Sequence, residues 1–346
     1  MNELAKKVLN CVRIEKKGHY TDESAHEGEE AWAIFHQKYD KILHTLMLPR
    51  RNDVMTIVIK SAVLPSGETL TYRERAGTEP CLLLLHGNMA SSELWDPLLE
   101  YPDIKQRLIA VDLRGYGESS YKSPVNDMKD FSKDLYDFVE QLGLDQLIVM
   151  GWSNGGGVAM QFAADYPARV SKLILLAPIS SRGYAAVNTE GDRLRTKEQI
   201  AKDPGLAMVI QANQNQDRDF FEQAMAYLML NNRQSDTETR AKYIKACLMQ
   251  RNMIDAADAA NRFNISSVSN GLTEGTGEMG RIQSSVLVIW GTKDLITTKS
   301  MIEETIEDFA SHGKAVQYVE LDAGHSPLID DIHGLVAAIN GFIAQP

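Results

Sequence analysis

Cysteine is scarce in this chain. Cys11, Cys81 and Cys247 are odd in number and widely spaced, which excludes a disulfide framework and suits a reducing compartment. Long apolar runs are missing too: nothing approaches the roughly 18 to 20 residues of a membrane-spanning helix, and residues 1–17 mix Lys and Glu without the apolar centre of a secretory leader. Positive charge is in deficit, with 36 Lys and Arg against 47 Asp and Glu and a formal charge of −11. Neither a nucleic acid nor an anionic membrane would find a basic face to bind. No two of the eight histidines stand at His-x-x-x-His spacing, and no metal or other cofactor is expected. These absences leave a soluble, cytoplasmic globular protein acting on a small molecule.

What is present begins with a rhythm. From residue 69 onward short apolar runs alternate with amphipathic stretches, the pattern of a mainly parallel sheet wrapped by helices. Strands are expected over 70–75, 82–85, 108–111, 147–150, 173–176, 286–289 and 316–319, with 54–59 opening the sheet. Phe131, Leu135, Phe138, Val139 and Leu142 form a helical stripe over 130–142, and 301–309 and 332–342 read likewise. Two regions break the rhythm. Residues 182–283 carry no convincing strand but helical stretches at 219–230 and 238–253; residues 1–51 place Trp32, Phe35, Tyr39, Leu43 and Leu46 at helical spacing before Pro49. The organisation is therefore an N-terminal helical arm (1–51), a core in two parts (52–181 and 284–346), and a helical insertion between them (182–283).

One stretch asks for more than packing. In Gly151-Trp152-Ser153-Asn154-Gly155 an apolar strand stops at a serine crowded by glycines, and a helix follows as far as Pro167. A sharp strand-to-helix turn holds such a serine in a strained backbone region, and side chains two residues to either side would collide with neighbouring elements. The glycines thus fit an exposed, constrained nucleophile. Upstream, His86-Gly87-Asn88 follows an early strand and bends the backbone at the sheet edge, so the amides of Asn88 and Asn154 are expected to point at a developing oxyanion, with His86 a scaffold.

A serine hydroxyl needs a base, and the base an acid to orient it. His325, in the loop after the last strand, is the best placed of the eight histidines. Asp294, in Trp290-Gly-Thr-Lys-Asp294 after the preceding strand, is the expected acid; Asp322 is its rival. Met89 and Trp152, adjacent to the expected site, are the candidate pocket walls. Met208, Met225, Met229, Met249 and Met253, beside Phe220, Phe221 and Tyr227, give the insertion an apolar character that reads first as ordinary core.

The order Ser153, Asp294, His325, taken with His86-Gly87-Asn88 and with the segment Asp112-Leu-Arg114-Gly115-Tyr-Gly117-Glu-Ser119, resembles the α/β-hydrolase fold family over residues 69–343 apart from the insertion. The resemblance implies an eight-stranded, mostly parallel sheet, a cap inserted after the sixth strand, and a cofactor-free Ser-His-Asp mechanism. It makes 112–119 the turn after the fourth strand, a scaffold element. Residues 86–95 are also similar to the haloalkane dehalogenase branch, but those enzymes carry aspartate where Ser153 stands, so dehalogenation and epoxide hydrolysis lose their support. The expected activity is hydrolysis of a carboxylic ester of a small, largely apolar substrate. A lactonase, a carbon–carbon bond hydrolase or a cofactor-free haloperoxidase would use the same three residues, and a small-ligand receptor could keep the fold with little turnover. The arm or the cap is the candidate surface for a homodimer.

Overall fold

The computed structural model describes residues 56–233 and 235–345. The aromatic stripe expected within residues 1–51 lies outside them. Eight strands follow in chain order: β1 (Ile57–Val63), β2 (Thr69–Arg75), β3 (Thr78–Leu85), β4 (Gln106–Val111), β5 (Leu147–Trp152), β6 (Val170–Leu176), β7 (Ser285–Gly291) and β8 (Val316–Leu321). They form one sheet in the order β1-β2-β4-β3-β5-β6-β7-β8. β2 runs antiparallel to β1 and β4; every pairing from β4 through β3 to β8 is parallel.

The central strands read as unbroken apolar runs because helices cover both of their faces. All six residues of β5 are buried, as are the last five of β3. The outer strands β1 and β8 are exposed over half their length or more and carry Lys60 and Glu320, charges that discourage further strand pairing. Helix α1 (Asp96–Leu99) follows β3. Helix α2 (Met128–Gln141) buries the expected stripe of Phe131, Leu135, Phe138 and Val139, and the Asp127 carboxylate caps it by accepting the Lys129 N–H. Helix α3 (Asn154–Asp165) leaves β5 directly and is buried along nearly its whole length.

Between β6 and β7 lie α4 (Lys197–Lys202), α5 (Pro204–Gln214), α6 (Arg218–Leu228), α7 (Thr237–Met249) and α8 (Met253–Arg262). The expected helix at 219–230 corresponds to α6. Sequence reading overlooked α4 and α5, although Thr196 and Asp203 cap them by accepting the N–H groups of Gln199 and Leu206; the apolar residues of α5 lie on no single face, so its periodicity is weak. The expected continuous helix over 238–253 is instead two. α7 stops at Met249, Gln250 turns extended (φ −71°, ψ 132°), and α8 begins at Met253. The break is made by tertiary bonds: Arg251 N–H donates to Gly115 O (2.9 Å) and Asn252 Nδ2 to Arg114 O (2.8 Å). After β7 come α9 (Lys299–Ser311), then β8, α10 (Pro327–Asp330) and α11 (Ile332–Ile343). Among the described residues no helix is long and apolar enough to cross a membrane.

Candidate active site

The loops that leave β3, β5, β7 and β8 all emerge at the carboxyl edge of the parallel sheet, where ligands of open α/β sheets are held. Ser153 follows β5 in the left-handed region (φ 56°, ψ −122°), a strained position for a residue with a Cβ. The surroundings hold it there: Ser153 N–H donates to Leu176 O (3.0 Å), and Ser153 O accepts from Gly156 N–H (2.8 Å) and Ile179 N–H (3.1 Å). Close approach explains the glycine at 155, where a Cβ would lie 2.4 Å from the carbonyl oxygens of both Leu85 and His86. Ser153 keeps 8% of its surface exposed.

His325, 2% exposed, stands in the loop after β8, and its Nδ1 is 2.7 Å from Asp294 Oδ2 in the loop after β7. Asp294 is fully supplied with donors. Its Oδ1 accepts from the N–H groups of Ile296 (2.7 Å) and Thr297 (3.0 Å), a turn in which aspartate bonds backbone two and three residues on, and its Oδ2 also accepts from Thr297 Oγ1 (2.6 Å). Burial on its own would raise this carboxyl, but the bonds from His325, Thr297 and Ile296 outweigh it and hold the group below its ordinary value. Asp294 is therefore a carboxylate, and the imidazole nitrogen facing it carries the proton. The rival Asp322 points outward, its side chain 80% exposed and paired with Lys293 at 2.7 Å. No hydrogen bond joins Ser153 Oγ to His325 Nε2 among the described residues.

The loop after β3 passes directly over the serine. A Cβ on Gly87 would lie 2.8 Å from Ser153 Cβ and 3.4 Å from Ser153 Oγ, so only glycine lets the chain come this close. His86 aims the next peptide. Its Nε2 accepts the Leu113 N–H (3.1 Å), which puts the ring proton on Nδ1, and Nδ1–H donates to Gly87 O (2.8 Å). That oxygen belongs to the peptide whose other end is the Asn88 N–H, and in a trans peptide the two point opposite ways. Burial pushes the His86 imidazolium down, so the ring stays neutral and structural. Among the described residues the N–H groups of Asn88 and Asn154 have no acceptor. Asn154 is the first residue of α3, whose leading amides have no partner within the helix. Both donors are free: Asn88 follows the glycine that lies against Ser153, and Asn154 opens a buried helix at its positive end.

Met89 and Trp152, the expected pocket walls, have different surroundings. Met89 is half-buried in the same loop, itself at positive φ (51°). Trp152 is 1% exposed and is a brace: its Nε1–H donates to His325 O (2.9 Å) and its ring meets Trp95 and Tyr243 edge to face. Sequence reading missed Tyr243, whose hydroxyl lies 2.5 Å from Ser326 Oγ beside the histidine, and Thr297 beneath Asp294. Only Thr297 left a signal, its spacing from Asp294. In the turn after β4, Asp112 acts as scaffold, its Oδ1 accepting from Ser92 N–H (2.6 Å) and its Oδ2 from Glu118 N–H (2.9 Å). Among the described residues no group of three or more His, Cys, Asp or Glu side chains could hold a metal ion.

An eight-stranded, mostly parallel sheet with a serine at a strained strand-to-helix turn and a buried His–Asp pair two and three strands along defines the α/β-hydrolase class. The family model for the alpha/beta hydrolase fold matches residues 80–332, well over half of the chain, and the protein belongs to that family. The chain is 38% identical over 103 residues to the pimeloyl-[acyl-carrier protein] methyl ester esterase of Legionella pneumophila (strain Lens), a stretch that covers 30% of this chain and 40% of that protein. It is 32% identical over 135 residues to a monoacylglycerol lipase of Mus musculus, covering 38% of this chain and 40% of that one. The chain thus spans less than half the length of these curated relatives. Among solved structures, a hydrolase from Pseudomonas aeruginosa PA01 superimposes with a TM-score of 0.65 at 20% identity, covering 86% of this chain and 100% of that one, a likeness of fold.

Proposed function

We propose that this protein is a serine hydrolase that cleaves a carboxylic ester of a small, largely apolar substrate through an acyl-enzyme. The observation that carries this reading is the buried 2.7 Å hydrogen bond between His325 Nδ1 and Asp294 Oδ2, which leaves Nε2 free to act as a base, in a chain that also holds Ser153 at a strained turn. Two of the chain's relatives bear the names of an ester hydrolase and a lipase, which supports acyl chemistry.

In this reading Ser153 Oγ attacks the ester carbonyl carbon as its proton passes to His325 Nε2. Asp294 holds the Nδ1–H and steadies the imidazolium that forms. Negative charge gathers on the former carbonyl oxygen and meets the free amides of Asn88 and Asn154; one such donor contributes about 10²- to 10³-fold in turnover. The tetrahedral adduct collapses, the alcohol leaves with the proton from Nε2, and an acyl group stays on Ser153. Water then attacks the acyl carbon while His325 takes its proton, and collapse returns the carboxylic acid and the free serine. The near-complete burial of Ser153 favours a small substrate over a polymeric one.

The test is a panel of p-nitrophenyl esters from acetate to dodecanoate, with several lactones, offered to the native protein and to Ser153→Ala. Turnover of the esters that Ser153→Ala abolishes is the expected result. Folded native protein that turns over none of the panel and resists labelling by a fluorophosphonate would remove the proposal.

A further inference from the structure

The break between α7 and α8 brings a buried amide to the loop that carries the oxyanion donor. Gln250 is 1% exposed, and each of its polar side-chain atoms is engaged. Oε1 accepts the Met89 N–H (2.9 Å), and Nε2 donates to Asn88 Oδ1 (2.7 Å) and to Asn252 Oδ1 (2.9 Å). Three residues earlier, on α7, Cys247 Sγ donates to Met89 O at 3.5 Å, so both backbone groups of Met89 are held from the segment between β6 and β7. Met89 is one of the few non-glycine residues at positive φ, a conformation that persists only where its surroundings over-determine it. Asn88 Oδ1 takes a second bond from Tyr116 OH (3.0 Å).

The anchor is itself fixed. Asn213 Nδ2, on α5, donates to Gln250 O (3.3 Å) and to Cys247 O (2.8 Å), while Asn252 Nδ2 and Arg251 N–H grip the carbonyls of Arg114 and Gly115. A glutamine was required in this place by neither the helix nor an apolar core. It stands where α7 ends and satisfies two acceptors and a donor, and two of those three partners belong to residues 88 and 89.

We propose that Gln250 is a positioning residue of the hydrolase: it sets the Asn88–Met89 loop so that the Asn88 N–H faces the oxyanion, and couples the helices between β6 and β7 to catalysis. The inference rests on the serine-hydrolase reading. Gln250 touches no reacting atom. Its loss acts through the aim of the Asn88 amide, so it lowers the rate of forming the tetrahedral adduct while leaving ground-state binding nearly alone.

The experiment compares the full chain with Gln250→Leu, Gln250→Glu and Ser153→Ala. It measures the second-order rate of fluorophosphonate labelling, kcat and KM on p-nitrophenyl butyrate, and thermal unfolding. Gln250→Leu is expected to slow labelling and to reduce kcat together by about 10²-fold, the loss of one oxyanion donor, with KM within threefold. Gln250→Glu keeps the shape and an acceptor for Met89 N–H but gives up both donated bonds and brings a negative charge near the oxyanion; a decrease in kcat of tenfold or more is expected. It is also the variant that decides should Gln250→Leu fail to fold. Labelling and kcat within threefold of the native protein in the folded variants would overturn the inference, as would a loss carried by KM alone. If native activity and labelling do not depend on Ser153, it is the serine-hydrolase reading that falls, and the Ser153→Ala arm reports that separately.

Discussion

Asp294→Asn tests the candidate site most sharply, because the two oxygens it alters have different partners. Oδ1 takes two backbone donors, Ile296 N–H and Thr297 N–H, that cannot turn away; Oδ2 takes His325 Nδ1 and the Thr297 hydroxyl, which can. An asparagine must present its NH2 at one position or the other. Towards the backbone it would face two N–H groups at 2.7 and 3.0 Å and leave both unbonded, at about 1–3 kcal/mol each. Towards the histidine, the Thr297 hydroxyl swings its proton to Ala177 O, already 3.3 Å away, and His325 accepts on Nδ1. The second arrangement costs less, so the imidazole is forced into the tautomer with its proton on Nε2, where it cannot take the serine's proton. Turnover is expected to fall by about 10⁴-fold, about 5.4 kcal/mol of barrier, with the fold retained. Ester hydrolysis by the purified variant, read beside its thermal unfolding, measures both quantities. Asp322→Asn, altering an exposed carboxylate, serves as the control and should leave turnover unchanged. Turnover of Asp294→Asn within tenfold of native, or a matching loss in Asp322→Asn, would refute the assignment.

The remaining expectations concern the frame of the same site. Because Asp294 is held below its ordinary value when folded, its stabilisation is complete above the unfolded carboxylate value of about 3.9 and is lost as pH falls through the folded value; the melting gap between native protein and Asp294→Asn should therefore narrow below about pH 4, and a gap constant with pH would contradict this. Gly87→Ala drives a methyl to 2.8 Å from Ser153 Cβ and lifts the Asn88 amide away, so kcat should drop by about 10²- to 10³-fold in a folded protein; kcat within threefold would show that the loop yields without moving its donor. Asp134→Ala strands the Arg114 guanidinium, which now forms a two-pronged buried pair with Asp134 at 2.7 and 2.8 Å, and should cost about 3–5 kcal/mol in denaturant unfolding; a loss under 1 kcal/mol would mean that Arg114 finds water.

Local chemistry made much of this molecule legible from its letters. A strand buried on both faces must be apolar throughout, so the runs at 82–85, 147–150, 173–176 and 286–289 marked the central strands without ambiguity. The Ser153 turn was legible because a residue held at a sharp strand-to-helix turn needs glycines beside it, and that requirement acts over two residues. His325 and Asp294 could be picked out as candidates because each stands in the loop after an expected late strand; a 2.7 Å hydrogen bond joins them.

What the letters could not carry is whatever depends on contacts across a hundred residues or more. Nothing in 238–253 forbids one continuous helix. It breaks because Arg251 and Asn252 find carbonyls at 114 and 115, and only then does Gln250 meet Asn88 and Met89, more than 160 residues away in sequence. Trp152 shows the same limit, since being next to the serine in sequence says nothing of where an indole points, and its N–H went to His325 O. Residue type and short spacing decide which group can be a nucleophile, a base or a strand. Where an amide or an indole comes to rest is decided by which distant acceptor is left unsatisfied in the folded chain, a choice settled only when the sheet and the helices above it have closed on one another.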